Sequence, residues 1–311
     1  GIYKDRTWKT FEQKVANSAM GLKALGLNRG DRLALMGDPC EEYAICELAA
    51  QSLGAVTYGI YPTSSAKEVK YLMTDGEACI FIAENQEYVD RILPLYDKLP
   101  KLSHVVVIDT TGTFMYDHSS LTTYEDLIHK GQEMLDADAG AFEEEVRKVD
   151  PKDDLFIVYT SGTTGSPKGV LISHGRHLAA AYTLIDRYPI LAETPHRTVV
   201  YLPLCHVLGK DVAVTLPLLT SIVPHYGEDI ESLTETIFET APTVLFTVPR
   251  YLQKYVSNII VGIENSSPLK KLIYRTAIRV GRLHVKGLWD GKTNLARSLI
   301  YFIFYQLVFR P

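Results

Sequence analysis

The sequence predicts an α/β fold in which layered sheets are flanked by helices. Three observations carry that reading. From residue 8 onward, short apolar runs alternate with helical patterns of about 10–15 residues, the signature of a mostly parallel sheet. The runs are apolar on both sides, as burial between two helical layers requires. The 311 residues are 46% hydrophobic and 22% charged, an ordinary globular composition with enough length for one large core or two smaller ones.

The elements follow in order. Trp8, Phe11, Val15, Ala19, Leu22 and Leu25 fall on one helical face, with Thr10 and Gln13 as a capping box and Gly26 as the stop. "RLALM" is a short strand. Asp38, Pro39 and Glu41 open a second helix that runs to Gly54. "AVTYGI" is a strand, and Ser65 with Glu68 caps the helix after it. "ACIFIA" is a strand, "NQEYVDRILPLYDKL" a helix and "HVVVID" a strand.

Thr110 to Asp154 is polar and acidic and reads as a connection with one or two surface helices. It separates two halves, about 1–150 and about 151–311. Alternation then resumes: "VLIS", a helix from His174, "RTVVYL", a helix, "SIVPHY", a helix from Asp229, "TVLFTV" as a strand, and mostly helix to the end. The apolar run "SLIYFIFYQLVF", Ser298 to Phe309, is shorter than the ~20 residues of a membrane span. It is expected to be a buried helix, with a membrane-surface contact as the alternative.

The formal net charge of −5 argues against a nucleic-acid partner. Cys40, Cys46, Cys79 and Cys205 are scattered and form no Cys-x-x-Cys pair, so they read as reduced thiols of an intracellular protein. The polar, charged start is no secretory signal. It lacks an initial methionine and is expected to be cut or processed, and further chain is expected beyond Pro311.

The chemistry concentrates in "YTSGTTGSPKGV", Tyr159 to Val170. Gly162, Gly165 and Gly169 let the backbone approach a ligand closely and adopt positive φ. Successive N–H groups of such a turn form an anion-binding nest. Thr160, Ser161, Thr163 and Thr164 add hydroxyls, and Lys168 adds a compact positive charge. Together these suit a polyphosphate, against the plainer reading of a hairpin tip. Lys168 is followed by Gly169, which excludes G-x-x-x-x-G-K-[ST], and G-x-G-x-x-G is absent. Both of those loops feed a helix, whereas this one feeds a strand. His174 and His177 form an H-x-x-H with no third ligand at zinc spacing. There is no G-x-S-x-G elbow. Asp211 is read as the start of a helix, with an amine-binding role as the alternative.

"YTSGTTGSPKGV" resembles the signature loop of the adenylate-forming enzymes, and "YLPLCHV", Tyr201 to Val207, resembles that family's Leu-Pro-Leu-x-His segment. "ELAAQSLGAVTYGIYPTSSAKEVKYLM" and "TAPTVLFTVPRYLQKY" are most similar to the long-chain fatty acyl-CoA synthetase branch. The resemblance implies an adenylate-forming N-terminal domain, incomplete at its C-terminal side. The Tyr-Gly-x-Thr-Glu and Thr-Gly-Asp segments and the small C-terminal domain have no counterpart in this chain. It implies ATP, Mg2+ and CoA, with a long-chain fatty acid activated through an acyl-adenylate. Thr160, Ser161, Gly162, Thr163, Thr164, Gly165 and Lys168 would bind the phosphates, with Thr160 near the metal. Lys168 and His206 would be catalytic, His206 orienting the carboxylate. Leu245 falls where some relatives carry a gating tryptophan. Expected partners are fatty acid, ATP and CoA, without nucleic acid. A homodimer and a peripheral membrane contact of a cytoplasmic protein stay open. So do two other readings: a ligase for medium-chain or aryl acids, and a noncatalytic nucleotide- or lipid-binding relative.

Overall fold

A computed structural model describes residues 3–116, 119, 121–160, 165–227, 232–292 and 294–310, without the side chains of 115 and 309. Contacts divide the chain into two compact units, Gly1–Phe246 and Thr247–Pro311.

The first unit begins with α1 (Trp8–Ala24), β1 (Arg32–Met36), α2 (Glu41–Ser52), β2 (Val56–Ile60), α3 (Ala66–Gly76), β3 (Ile80–Ala83), α4 (Gln86–Ile92) and β4 (His104–Val107). It continues with β5 (Leu121–Thr123), α5 (Tyr124–Ala137), α6 (Ala141–Val146), β6 (Asp154–Thr160), β7 (Lys168–Ser173), α7 (His174–Arg187) and α8 (Ile190–Glu193). Last come β8 (His196–Val200), α9 (Val207–Lys210), α10 (Leu216–Leu219), β9 (Ile222–Tyr226) and α11 (Leu233–Thr240). A seven-stranded sheet has the order β5-β4-β3-β1-β2-β6-β7. Its strands are parallel except for the antiparallel pair β6–β7. β8 and β9 form a separate parallel pair.

The period-2 geometry of the strands sorts the core into two faces. Leu33, Leu35, Ile80 and Ile82 face one cluster with Ala19 and Leu22 of α1 and Ile45 and Ala49 of α2. Ala34, Met36, Phe81 and Ala83 face the other, with Val69 and Met73 of α3 and Val89 of α4. The both-sided apolarity of these strands therefore has the cause that the sequence suggested.

Several expected details change. The cap of α1 is Thr7, whose hydroxyl accepts from the Thr10 N–H at 3.1 Å; Thr10 and Gln13 lie inside the helix. Gly26, at φ +93°, does follow the helix end. α2 opens at Cys40, whose Sγ accepts from Tyr43 N–H, rather than at Asp38 or Pro39. The Ser65–Glu68 capping box is present in full. α4 ends at Ile92, because Pro94 lacks an N–H and the chain tightens into a 3-10 turn over Leu93–Lys98.

The polar connection holds more structure than expected. β5 adds an edge strand. α5 lies against α1, so closely that a Cβ at Gly131 would overlap the Asn17 carbonyl and one at Gly21 the Leu127 carbonyl. Small residues on both helices permit this approach, and Leu127 is fully buried by it. The helix start expected at Asp229 lies outside the described residues; α11 itself begins at Leu233, after Ser232. "TVLFTV" is not a strand. Thr243 and Val244 both donate their N–H to the one carbonyl of Arg197, which leaves no alternating ladder to propagate.

The second unit consists of α12 (Pro249–Glu264), α13 (Pro268–Trp289) and α14 (Leu295–Phe304), the last continuing into a π-helical turn over Tyr305–Phe309. The expected burial of the last apolar run does not occur: Leu299, Phe302, Ile303 and Leu307 are exposed. Among the described residues no helix is long and apolar enough to cross a membrane.

Candidate functional site

The glycine-rich loop joins β6 to β7, at the carboxyl end of β6. In sheets of this kind ligands bind at that edge. β6 enters the sheet through the buried Leu155, Phe156 and Ile157 and leaves it at the exposed Thr160. Its end is held by α3. The Tyr159 hydroxyl donates to Asp75 Oδ2 at 2.8 Å, and the Tyr71 hydroxyl donates to the Pro167 carbonyl at 2.9 Å. Tyr159 also meets Tyr58 edge to face, with ring centroids 5.7 Å apart. Burial, and then the bond to Asp75, raise the Tyr159 phenol well above its ordinary range, so it stays a neutral donor.

Thr160 and Lys168 are cross-strand partners that close the hairpin, and both are exposed. Lys168 makes no ion pair among the described residues. Gly165 has φ +150° with open space around it, a backbone conformation suited to glycine. Gly169 serves a different need: a Cβ there would stand 2.8 Å from Ile157 Cγ2 and 3.3 Å from a Tyr159 ring carbon. Ser161, Gly162, Thr163 and Thr164 lie outside the described residues.

His206 ends the "YLPLCH" turn and caps α9. Its Nδ1 accepts from the Leu208 N–H at 3.2 Å, so the neutral ring carries its hydrogen on Nε2. The turn rests on β2: a Cβ at Gly59 would overlap Cys205. β2 pairs with β6 through Thr57–Phe156 and Tyr58–Ile157. His206 is thus carried one strand away from the strand that ends in the glycine-rich loop, and its side chain is exposed. Gly209 makes the turn compact enough, since a Cβ there would overlap the Pro203 carbonyl.

Beneath this turn lies a buried polar group that sequence reasoning missed. Lys210 forms an ion pair with Glu47 of α2, and both are almost fully buried. Thr57 Oγ1 donates to Glu47 at 3.0 Å, and Gln51 Nε2 donates to Thr57 at 2.9 Å. Lys210 Nζ also stands 5.4 Å from the centroid of the Phe156 ring. Asp211 opens a π-helical stretch, Asp211–Thr215, that continues α9. His177 bonds Thr215 Oγ1 at 2.8 Å and lies 3.5 Å from Asp211 Oδ1. Burial, with Lys210 and His174 adding to it, lowers His177 to about 4. Burial raises Asp211 to about 6, with Lys210 acting the other way. His177 is thus engaged by Thr215 and Asp211, and no group of three metal-type ligands is found among the described residues. No spacing in the sequence announces the Lys210–Glu47 pair, because its members come from elements 163 residues apart.

Two cavities sit away from the loop. One of about 1070 Å³ lies between Arg6, Trp8, Glu41, Arg197, Tyr226 and Thr236. The other, about 340 Å³, is bounded by Glu47, Phe156, His177, Lys210 and Leu218. Thr160, Gly165, Lys168 and His206 line neither.

The fold of this chain is shared with solved structures. ATP-bound MatB from Rhodopseudomonas palustris superposes with a TM-score of 0.62 at 23% identity, over 79% of this chain and 45% of that one. The N-terminal domain of FACL13 from Mycobacterium tuberculosis gives a TM-score of 0.57 at 24% identity, over 79% and 57%. At these identities the likeness shows the fold. The sequence family described as "AMP-binding enzyme" matches residues 1–280, and the chain belongs to that family. Among curated relatives, long-chain-fatty-acid–CoA ligase FadD15 of Mycobacterium bovis is 30% identical over 310 residues, 100% of this chain and 49% of that protein. The ligase ACSBG2 of Xenopus laevis is 27% identical over 98% of this chain and 41% of its own length. The chain thus spans about half the length of the curated relatives it matches.

Proposed function

We propose that this chain is the front part of an AMP-forming long-chain fatty acid–CoA ligase. The observation that carries the reading is the hairpin at the carboxyl edge of the sheet. It exposes Thr160 at the end of β6 and Lys168 at the start of β7 side by side, next to β2, on which the His206 turn rests. Similarity along the whole chain to long-chain fatty acid ligases supports the substrate class.

A carboxylate resists attack by a thiol because its leaving group would be oxide. Attack of the carboxylate oxygen on the α-phosphorus of ATP expels pyrophosphate and leaves an acyl-adenylate. The CoA thiol then attacks the acyl carbon, and AMP departs. The first step builds charge on pyrophosphate, so catalysis rests on positioned cations and N–H donors. Lys168, the loop hydroxyls and the backbone at Gly165 supply these, and His206 orients the acid. The donors present fit Mg2+ only in part: Thr160 offers one hard oxygen, so phosphate oxygens and water would complete its shell. When bound, the ion would neutralise phosphate charge. The exposed apolar residues of α14 support a peripheral membrane contact.

The test is fatty-acid-dependent exchange of pyrophosphate into ATP by the complete protein that carries this chain. Exchange with long straight-chain acids is expected. Its absence with every acid offered would overturn the reading.

A further inference from the structure

We propose that Lys210 and Glu47 are a positioning pair that sets the place of His206 beside the phosphate loop. The proposal rests on the functional reading above and assigns a role to a group which that reading leaves unused.

The turn that carries His206 opens the helical segment Val207–Leu219. α9 is a single helical turn, in which the Lys210 N–H donates to the His206 carbonyl at 3.1 Å. It runs directly into the π-helical Asp211–Thr215, whose wider register is an uncommon backbone form associated with functional sites. The π stretch interrupts the regular i to i−4 ladder directly after α9, before α10 resumes it. The Lys210 side chain anchors this first turn from below. It enters the interior, pairs with Glu47 of α2, and lies over the Phe156 ring of β6. Glu47 is itself fixed, because the Thr57 hydroxyl of β2 donates to it and Gln51 donates to that hydroxyl. A continuous set of contacts therefore links the backbone of His206 to β2 and to β6, and β6 ends at Thr160.

Net stability is a poor reason for such a pair. Buried ion pairs are often matched or exceeded by apolar residues of similar volume, because removing both charges from water is unfavourable. What the pair imposes is geometry: a lysine in this interior has one place to put its charge, and that place fixes the rotation of α9. An apolar side chain would tolerate several rotations.

The test is a pair of mutant cycles in the complete protein, Lys210→Met and Glu47→Gln, each alone and combined with His206→Ala. The readouts are kcat and KM for fatty acid and for ATP in pyrophosphate–ATP exchange. A displaced catalytic group lowers the rate by roughly 10²-fold. Lys210→Met is expected to lower kcat by that order while leaving the KM for ATP near wild type. In the His206→Ala background the same change should have almost no further effect, since it acts through His206. Losses that multiply in the double variant, or wild-type kinetics in Lys210→Met, would overturn the proposal. Glu47→Gln keeps the shape and hydrogen-bonding reach of the acid, and carries the same cycle if Lys210→Met does not fold. A second readout is independent of activity: 15N-histidine NMR reports the His206 tautomer. The wild type is expected to show hydrogen on Nε2 alone, and Glu47→Gln a mixture. An unchanged tautomer signal would overturn the positioning role. Absence of exchange in the wild type would instead remove the functional reading, leaving the NMR result to decide this one.

Discussion

Lys168 and Thr160 face each other across the first pair of the β6–β7 hairpin, where the loop begins and ends. Removing one positioned donor of this kind typically raises a barrier by ~3–4 kcal/mol. Lys168→Ala in the complete protein is thus expected to slow adenylate formation while sparing thioester formation from a preformed acyl-adenylate, because only the first step builds pyrophosphate charge. Wild-type pyrophosphate exchange in the variant would remove Lys168 from the site. Asp211 offers a second test. Its folded carboxyl, raised by burial to about 6, holds a proton more tightly than an unfolded aspartate near ~4. Its contribution to stability is therefore present below about pH 4 and lost as pH rises through 6. His177 runs the opposite way. Lowered to about 4 from an ordinary ~6.5, it contributes stability above that ordinary value, lost as pH falls through 4. Asp211→Asn should therefore be more stable than wild type at neutral pH, with the advantage shrinking as pH falls from 6 toward 4. Urea midpoints across that range measure it, and a constant difference would contradict the raised carboxyl. These residues also show how unevenly the site could be read. Thr160, Lys168 and His206 sit in contiguous motifs, which is why sequence alone can propose them. Lys210, Glu47 and Thr57 meet only because α9 folds over α2 and β2.

At the scale of elements, the contact of α1 with α5 is the most sensitive. Gly131 faces the Asn17 carbonyl and Gly21 faces the Leu127 carbonyl, so the two backbones touch. A Cβ at Gly131 must push the helices apart, and overpacking of this kind destabilises by about 1–3 kcal/mol. Gly131→Ala should lower the thermal midpoint by several degrees. Gly140→Ala is the control: its Cβ would meet only Asp138 Oδ1, at 3.5 Å, and little change is expected. Equal midpoints for the two variants would refute the close packing. Strands and capped helices were well specified locally. "ACIFIA" and "HVVVID" contain the observed β3 and β4, and Ser65 with Glu68 makes its box. The failures were local signals with competitors. Thr7 and Thr10 are both sound caps, and only the path of the preceding chain chooses between them. "TVLFTV" has the composition of a strand, but its N–H groups converge on Arg197.

For the whole molecule, the testable property is the acid it prefers. Each buried CH₂ contributes ~0.8 kcal/mol, about a fourfold gain in kcat/KM per carbon while the chain still fits. The complete protein should therefore favour long unbranched acids in a series of increasing length. Preference for acetate or an aromatic acid would refute this. Leu245, expected from the resemblance to stand at a gate, is exposed in the segment before α12.

What the sequence determined by itself was whatever depends on neighbours along the chain. That covers the alternation of strands and helices, the mostly parallel sheet and the family. These follow from periodicity and from contiguous motifs, in which each residue's role is set by residues a few positions away. The tertiary structure alone decided what depends on juxtaposition. It placed β2 between β1 and β6, and so brought the His206 turn one strand from the glycine-rich loop. It made α5 a partner of α1 rather than a solvated helix. It joined Lys210 to Glu47 inside the protein. No local pattern records such pairings, because burial of a charge is settled by which surfaces the fold brings together.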